Sequence, residues 1–86
     1  MSNIERRNKM MHEIEKVLNE ENFYFSDFCS FHDLPVVGVL IERGDWKHDH
    51  LRCDLILKDK GFVLMSEHVT FNDGSDVYSS IHYFSK

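Results

Sequence analysis

The chain has 86 residues and a mass of 10.2 kDa, which suits one domain with a single modest core. Fifteen acidic against ten basic side chains leave a net charge of −5, which argues against direct binding of nucleic acid. No apolar run is long enough to span a membrane, and the first residues carry charges where a signal peptide needs apolar ones. We therefore expect one globular domain over residues 1–86, located in the cytoplasm and independent of membranes.

The first predicted element is a helix over residues 3–21. Ser2 suits the N-cap position, and Glu5 follows at the spacing of a capping box. Apolar residues then recur at helical spacing and define one face, formed by Ile4, Met11, Ile14 and Leu18. This face is expected to pack against the rest of the domain.

Two strands are predicted to follow this helix. The first is an irregular strand near 23–29, inside a segment that is rich in aromatic residues. The second begins after the turn at Pro35, where Val36 to Ile41 form a nearly continuous run of apolar β-formers. Such a run is typical of a strand that is covered on both faces, so we place this strand at the centre of the sheet.

A second helix is predicted at about residues 46–60, with Asp45 as its N-cap and Gly61 as its stop signal. Its apolar residues fall on two sides. One side carries Trp46, His50, Cys53 and Leu57, and the opposite side carries Leu51 and Leu55. A helix of this kind is usually sandwiched, here between the sheet and either the first helix or a partner.

The last segment is predicted to form a β-hairpin with a three-residue loop, Asn72-Asp73-Gly74. A register that pairs Val69 with Val77 and Met65 with Ile81 places the large odd-numbered apolar residues on one buried face. The predicted fold class is therefore α+β, in the order helix, strand, strand, helix, hairpin. The sheet is expected to be antiparallel or mixed, with both helices packed on one of its faces.

The second helix also contains several residue types that bind metals. On a helix, His50 shares a side with Cys53 or Asp54, so a pair of these could hold one ion. The segment lacks HExxH or paired CxxC spacing, and a partly buried histidine is the simpler interpretation. A metal-binding domain or metal-assisted hydrolase that uses His50, Cys53 and Asp54 stays open as the alternative function.

The predicted register leaves a row of hydrogen-bonding side chains on the solvent face of the hairpin. This candidate interaction surface consists of Ser66, His68, Asp76, Tyr78, Ser80 and His82. Ser80 and His82 are same-face neighbours, but no nucleophile elbow or Gly-rich oxyanion turn accompanies them. We therefore predict no catalytic residues. The two cysteines, Cys29 and Cys53, are expected to be reduced thiols, because no export signal is recognised in the sequence and the cysteines do not have CxxC spacing.

These observations favour a small acidic protein-interaction module over an enzyme, with no cofactor. The expected partner is a larger protein on which the chain docks, and one version of this function is an inhibitor that occupies the basic surface of a protein that handles nucleic acids. The aromatic residues of the segment 23–32 leave a homodimer as a further option.

Overall fold

Two α-helices cover one face of a four-stranded antiparallel sheet in the computed structural model of the chain. The structure describes residues 2–30, 34–43, 46–71 and 78–86, with the backbone alone for residues 43, 46–50, 71 and 78. The elements in chain order are α1 (Asn3–Glu20), β1 (Asp27–Ser30), β2 (Val37–Arg43), α2 (Trp46–Asp59), β3 (Val63–Phe71) and β4 (Tyr78–Ser85). The strand order is β1-β2-β4-β3, and every pairing is antiparallel. The predicted α+β class, order of elements and one-sided placement of the helices are confirmed.

Both ends of α1 are closed by local hydrogen bonds. The Ser2 hydroxyl accepts the backbone N–H of Glu5 at 3.1 Å and donates to the Glu5 carboxylate at 3.1 Å, which confirms the predicted N-cap. At the other end, Asn22 takes a left-handed φ of 54°, and the backbone N–H of Phe23 donates to the Leu18 carbonyl at 2.8 Å. This is the Schellman arrangement, and it turns the buried Phe23 ring under the helix.

The helix α2 ends in the same way, at the predicted stop signal. Gly61 has φ 90°, and its N–H donates to the Lys58 carbonyl at 3.1 Å. The next N–H, from Phe62, donates to the Leu57 carbonyl at 3.0 Å. Phe62 and Leu57 are both buried in the core, so the turn also fixes where β3 begins. The predicted N-cap of this helix, Asp45, lies outside the described residues.

Replacing Gly61 by alanine is expected to lower the free energy of unfolding by about 1–2 kcal/mol. A Cβ at this position would meet nothing within 4 Å, so the cost is the left-handed backbone alone. Gly61→Asn should cost less than alanine because asparagine tolerates this conformation, as Asn22 does. Urea denaturation of the three proteins measures the difference. An alanine variant as stable as the parent would show that the turn is not held in this conformation.

The strand β2 is central, as predicted, but only one of its faces is covered by helices. Val37, Val39 and Ile41 point into the core beneath α1 and α2. On the opposite face, the Tyr83 side chain of β4 lies against Gly38. A Cβ added at Gly38 would be 2.8 Å from a carbon of the Tyr83 ring. Among the described residues no second layer covers the outer face, so the prediction of cover on both faces is wrong for this part of the chain. The apolar residues of that face are shielded by neighbouring strands.

The strand β1 is shorter and later than predicted, since it covers Asp27–Ser30 instead of 23–29. Two of the three aromatic residues before it, Phe23 and Phe25, contribute to the core without being part of the sheet, whereas Tyr24 is exposed. Phe23 is buried at the end of α1, and Phe25 packs against the core and against the ring of Phe28 at a centroid distance of 4.7 Å. Burial of these rings has overridden their preference for a strand.

The predicted register of the hairpin is wrong. Val69 pairs with Ser80 and not with Val77, and a β-bulge shifts the register between Leu64 and Ser66. The predicted loop residues 72–74 lie outside the described residues. In the observed register Ser80, His82 and Phe84 point into the core, and the odd-numbered Val63 and Met65 are exposed. Burial of Phe84 requires β4 to present its even-numbered residues inward, because side chains alternate along a strand.

Candidate functional site

The six residues of the predicted interaction surface do not share one face of the sheet. Ser80 and His82 are 1% and 0% exposed on the inner face, whereas Ser66 and His68 are exposed and pair with β4 residues of the outer face. Asp76 lies outside the described residues, and Tyr78 is described by its backbone alone. The prediction of a single polar surface on the hairpin is wrong, because the observed register turns the even-numbered residues of β4 into the core.

The structure also separates two members of the predicted metal set. Cys53 is fully buried among the core residues, and Asp54 turns toward β4, as expected for neighbours about 100° apart on a helix. The side chain of the third member, His50, is outside the described part of the chain. Of the two members whose side chains are described, Asp54 joins a group of metal-binding side chains and Cys53 does not; the other members of that group are Glu67 and His82.

A buried chain of hydrogen bonds links α2 to β4. The Asp54 carboxylate lies 2.9 Å from Nδ1 of His82, and Nε2 of His82 lies 3.0 Å from the Ser80 hydroxyl. His82 is fully buried and Asp54 is 20% exposed. In the described part of the chain, no buried side-chain nitrogen or oxygen lacks a hydrogen-bond partner. These two hydrogen bonds therefore allow a polar imidazole to lie within an apolar core.

The order of contacts, carboxylate to imidazole to serine, is that of a hydrolase triad. A nucleophilic serine has to reach its substrate, and the Ser80 side chain is covered by the core. The geometry therefore fits a structural role for Ser80. The sequence spacing paired Ser80 with His82, but Asp54 was missed as their partner because it lies 26 positions before Ser80 in the chain.

An apolar groove lies between α2 and the start of β3, and we call it the α2–β3 groove. Its volume is about 560 Å³. The lining residues are Leu51, Asp54, Leu55, Lys58, Gly61, Phe62, Val63 and Leu64. Leu51 and Leu55 are 61% and 66% exposed, and Val63 is 54% exposed. Within the chain this side of α2 faces solvent, so the predicted cover by the first helix is wrong, and the predicted alternative of cover by a partner stays a prediction.

The strand β3 forms one edge of the sheet beside this groove. It pairs with β4 on one side, and no strand of the described ranges pairs with its other side. Its nine residues include neither lysine nor proline, which natural proteins often use to protect an edge. Met65, which is 57% exposed, extends the apolar surface along this strand. The apolar residues on two sides of α2 were the sequence signal for this site. No sequence signal indicated that β3 lies at the edge of the sheet.

Neither Cys29 nor Cys53 is in a disulfide, and the two lie on opposite sides of the sheet. Cys53 belongs to the core. Cys29 pairs with Gly38 on β2, and partial burial, with a smaller contribution from the carboxylate of Asp27, raises the pKa of its thiol. A raised pKa keeps the thiol protonated and weakly nucleophilic at neutral pH, which suits a structural cysteine.

Comparison of the chain with family models, curated proteins and solved structures gives no significant match. The helices in the described part of the chain are too short or too polar to cross a bilayer.

Proposed function

We propose that this chain is a protein-interaction module that docks through the α2–β3 groove. The observation that carries the proposal is the exposure of four large apolar side chains that line one groove beside a sheet edge. They are Leu51, Leu55, Val63 and Leu64. Single exposed apolar residues are common, but a contiguous group beside a groove is typical of a binding surface.

The edge position of β3 favours an extended segment as the bound element. No strand of the described ranges lies beside this edge of β3, so a segment that runs along it can pair with the N–H and C=O groups that point away from β4 and extend the sheet by one strand. Alternate side chains of such a segment point to one face, where those facing α2 meet Leu51 and Leu55. Main-chain pairing supplies affinity in this mode of binding, and the apolar groove supplies specificity.

The charge of the chain favours a basic partner over a second copy. Two copies would double the net charge of −5, and self-repulsion would then oppose their association. A segment flanked by lysine or arginine would instead be attracted to the chain. Proteins that handle nucleic acids present such basic surfaces. We therefore assign a basic nucleic-acid-handling protein as the partner class, with inhibition by occupation of its surface as the mode of action.

A peptide probe tests this proposal on the full chain. The probe is selected from a library of ten-residue peptides with apolar residues at alternate positions and lysines at both ends. We expect saturable binding that slows hydrogen exchange of the β3 amides. Leu55→Asp should weaken binding by at least about tenfold because it places a charge in the apolar groove.

The matched control is Leu34→Asp, since Leu34 is also exposed, at 45%, but is not among the residues that line the groove. This variant should bind the peptide like the parent. Equal affinity of the parent and of Leu55→Asp would contradict the proposed site, as would a library that yields no binder. Sedimentation of a stable dimer whose β3 amides are already protected would identify a second copy as the occupant and would overturn the proposed partner.

A further inference from the structure

Three side chains with metal-binding atoms meet where α2, β3 and β4 come together. One ligand atom each from Asp54, Glu67 and His82 lies within 4.8 Å of the other two. Nδ1 of His82 is 2.9 Å from an Asp54 carboxylate oxygen and 3.6 Å from a Glu67 carboxylate oxygen. For a tetrahedral zinc ion with bonds of about 2.1 Å, neighbouring ligand atoms are about 3.4 Å apart. The two distances lie on either side of this value.

The hydrogen bond on the far side of His82 suits a ligand histidine. Nε2 faces the Ser80 hydroxyl at 3.0 Å, and a hydroxyl can accept as well as donate. When the proton lies on Nε2, the lone pair of Nδ1 points toward the two carboxylates, so a bound cation would take the place of the Nδ1–H that donates to Asp54 in the metal-free chain. Metal-binding histidines usually donate their second ring N–H to an outer partner in this way.

The β-bulge in β3 is what brings Glu67 to this point. Leu64 pairs with Phe84 on the inner face, and an uninterrupted ladder would next place Ser66 opposite His82 on that face. The register shift between Leu64 and Ser66 places Glu67 opposite His82 instead. Bulges of this kind re-aim side chains and are frequent beside functional sites. The exposed fractions of Glu67 and Asp54, 39% and 20%, give an ion access from solvent although His82 is fully buried.

We propose that Asp54, Glu67 and His82 bind a zinc ion, with the fourth position open to water. One imidazole nitrogen and two carboxylate oxygens are suitable ligands for zinc, and three protein ligands leave one coordination position free. This proposal goes beyond the interaction function and does not rest on it. It also replaces the predicted set of His50, Cys53 and Asp54, of which it retains Asp54 alone.

Titration of the metal-free full chain with zinc chloride, followed by calorimetry, tests the site. We expect one high-affinity zinc ion per chain. Glu67→Gln should weaken this binding by at least about tenfold, since loss of even an outer-shell partner costs that much. The substitution keeps the size of a partly exposed side chain, so the variant is expected to fold, and circular dichroism checks this.

The matched control is Glu42→Gln, which removes an exposed carboxylate from the outer face of β2 and should leave the affinity unchanged. The chain has six histidines, so weak zinc binding elsewhere is the background to exclude. Absence of tight binding, or equal affinity in the Glu67→Gln and Glu42→Gln variants, would overturn the site. Leu55→Asp should keep its zinc affinity, so failure of the zinc site and failure of the docking groove can be distinguished.

Discussion

Replacement of Phe84 by alanine is expected to lower the free energy of unfolding by about 3–5 kcal/mol. The Phe84 ring is fully buried, and its backbone lies between Val37 of β2 and Leu64 of β3. Removal of the ring loses its burial energy and leaves a cavity that the surrounding elements fill only in part. Because small domains have a total stability of about 5–15 kcal/mol, this single change would remove much of it.

Urea denaturation of the parent, Phe84→Leu and Phe84→Ala gives a graded measurement even if the alanine variant is largely unfolded. Tyr24→Ala is the matched control, because Tyr24 is 74% exposed and should change stability by no more than about 0.5 kcal/mol. A cost below about 1 kcal/mol for Phe84→Ala would place this ring outside the core and would contradict the observed hairpin register.

A second large effect is expected at the buried pair of Ser80 and His82. Ser80→Ala leaves Nε2 of His82 without its partner, and His82→Leu leaves the buried Ser80 hydroxyl without its own. Each change should cost about 1–3 kcal/mol, the penalty of an unsatisfied buried polar group. The double variant should cost at least about 1 kcal/mol less than the sum of the two, since it removes both partners together.

These measurements are made in the presence of a chelator, so that loss of a bound ion does not contribute. Ser79→Ala is the control, because Ser79 pairs with Glu42 on the outer face of the sheet and should change stability little. Strictly additive costs for the Ser80 and His82 changes would show that the two side chains do not interact in solution.

Asp54 connects the two proposals, since it lines the α2–β3 groove and also contacts His82. A bound segment would therefore lie next to the proposed zinc site. Leu55 and Glu67 are the more informative positions for mutation, because each belongs to one of the two sites alone.

The sequence predicted the elements whose signals are local. The capping box at Ser2 and Glu5 marked the start of α1, and Gly61 marked the end of α2. These signals depend on backbone groups within a few residues of each other, so a single sequence contains them in full. The two apolar sides of α2 were also visible, and one of them became the core while the other lines the groove.

The pairing of β3 with β4 was decided by the tertiary structure. Both strands carry large residues at odd positions, so sequence periodicity favoured a register that buries them together. The observed register buries the even-numbered residues of β4 and adds a bulge, because Phe84 has to reach the core formed by α1, α2 and β2. This register places His82 inside the protein, opposite Glu67 and within reach of Asp54. Contacts between residues far apart in the chain depend on how all elements pack together, so the candidate site could be identified only in the folded structure. The helices could be predicted from the sequence because their signals lie in neighbouring residues.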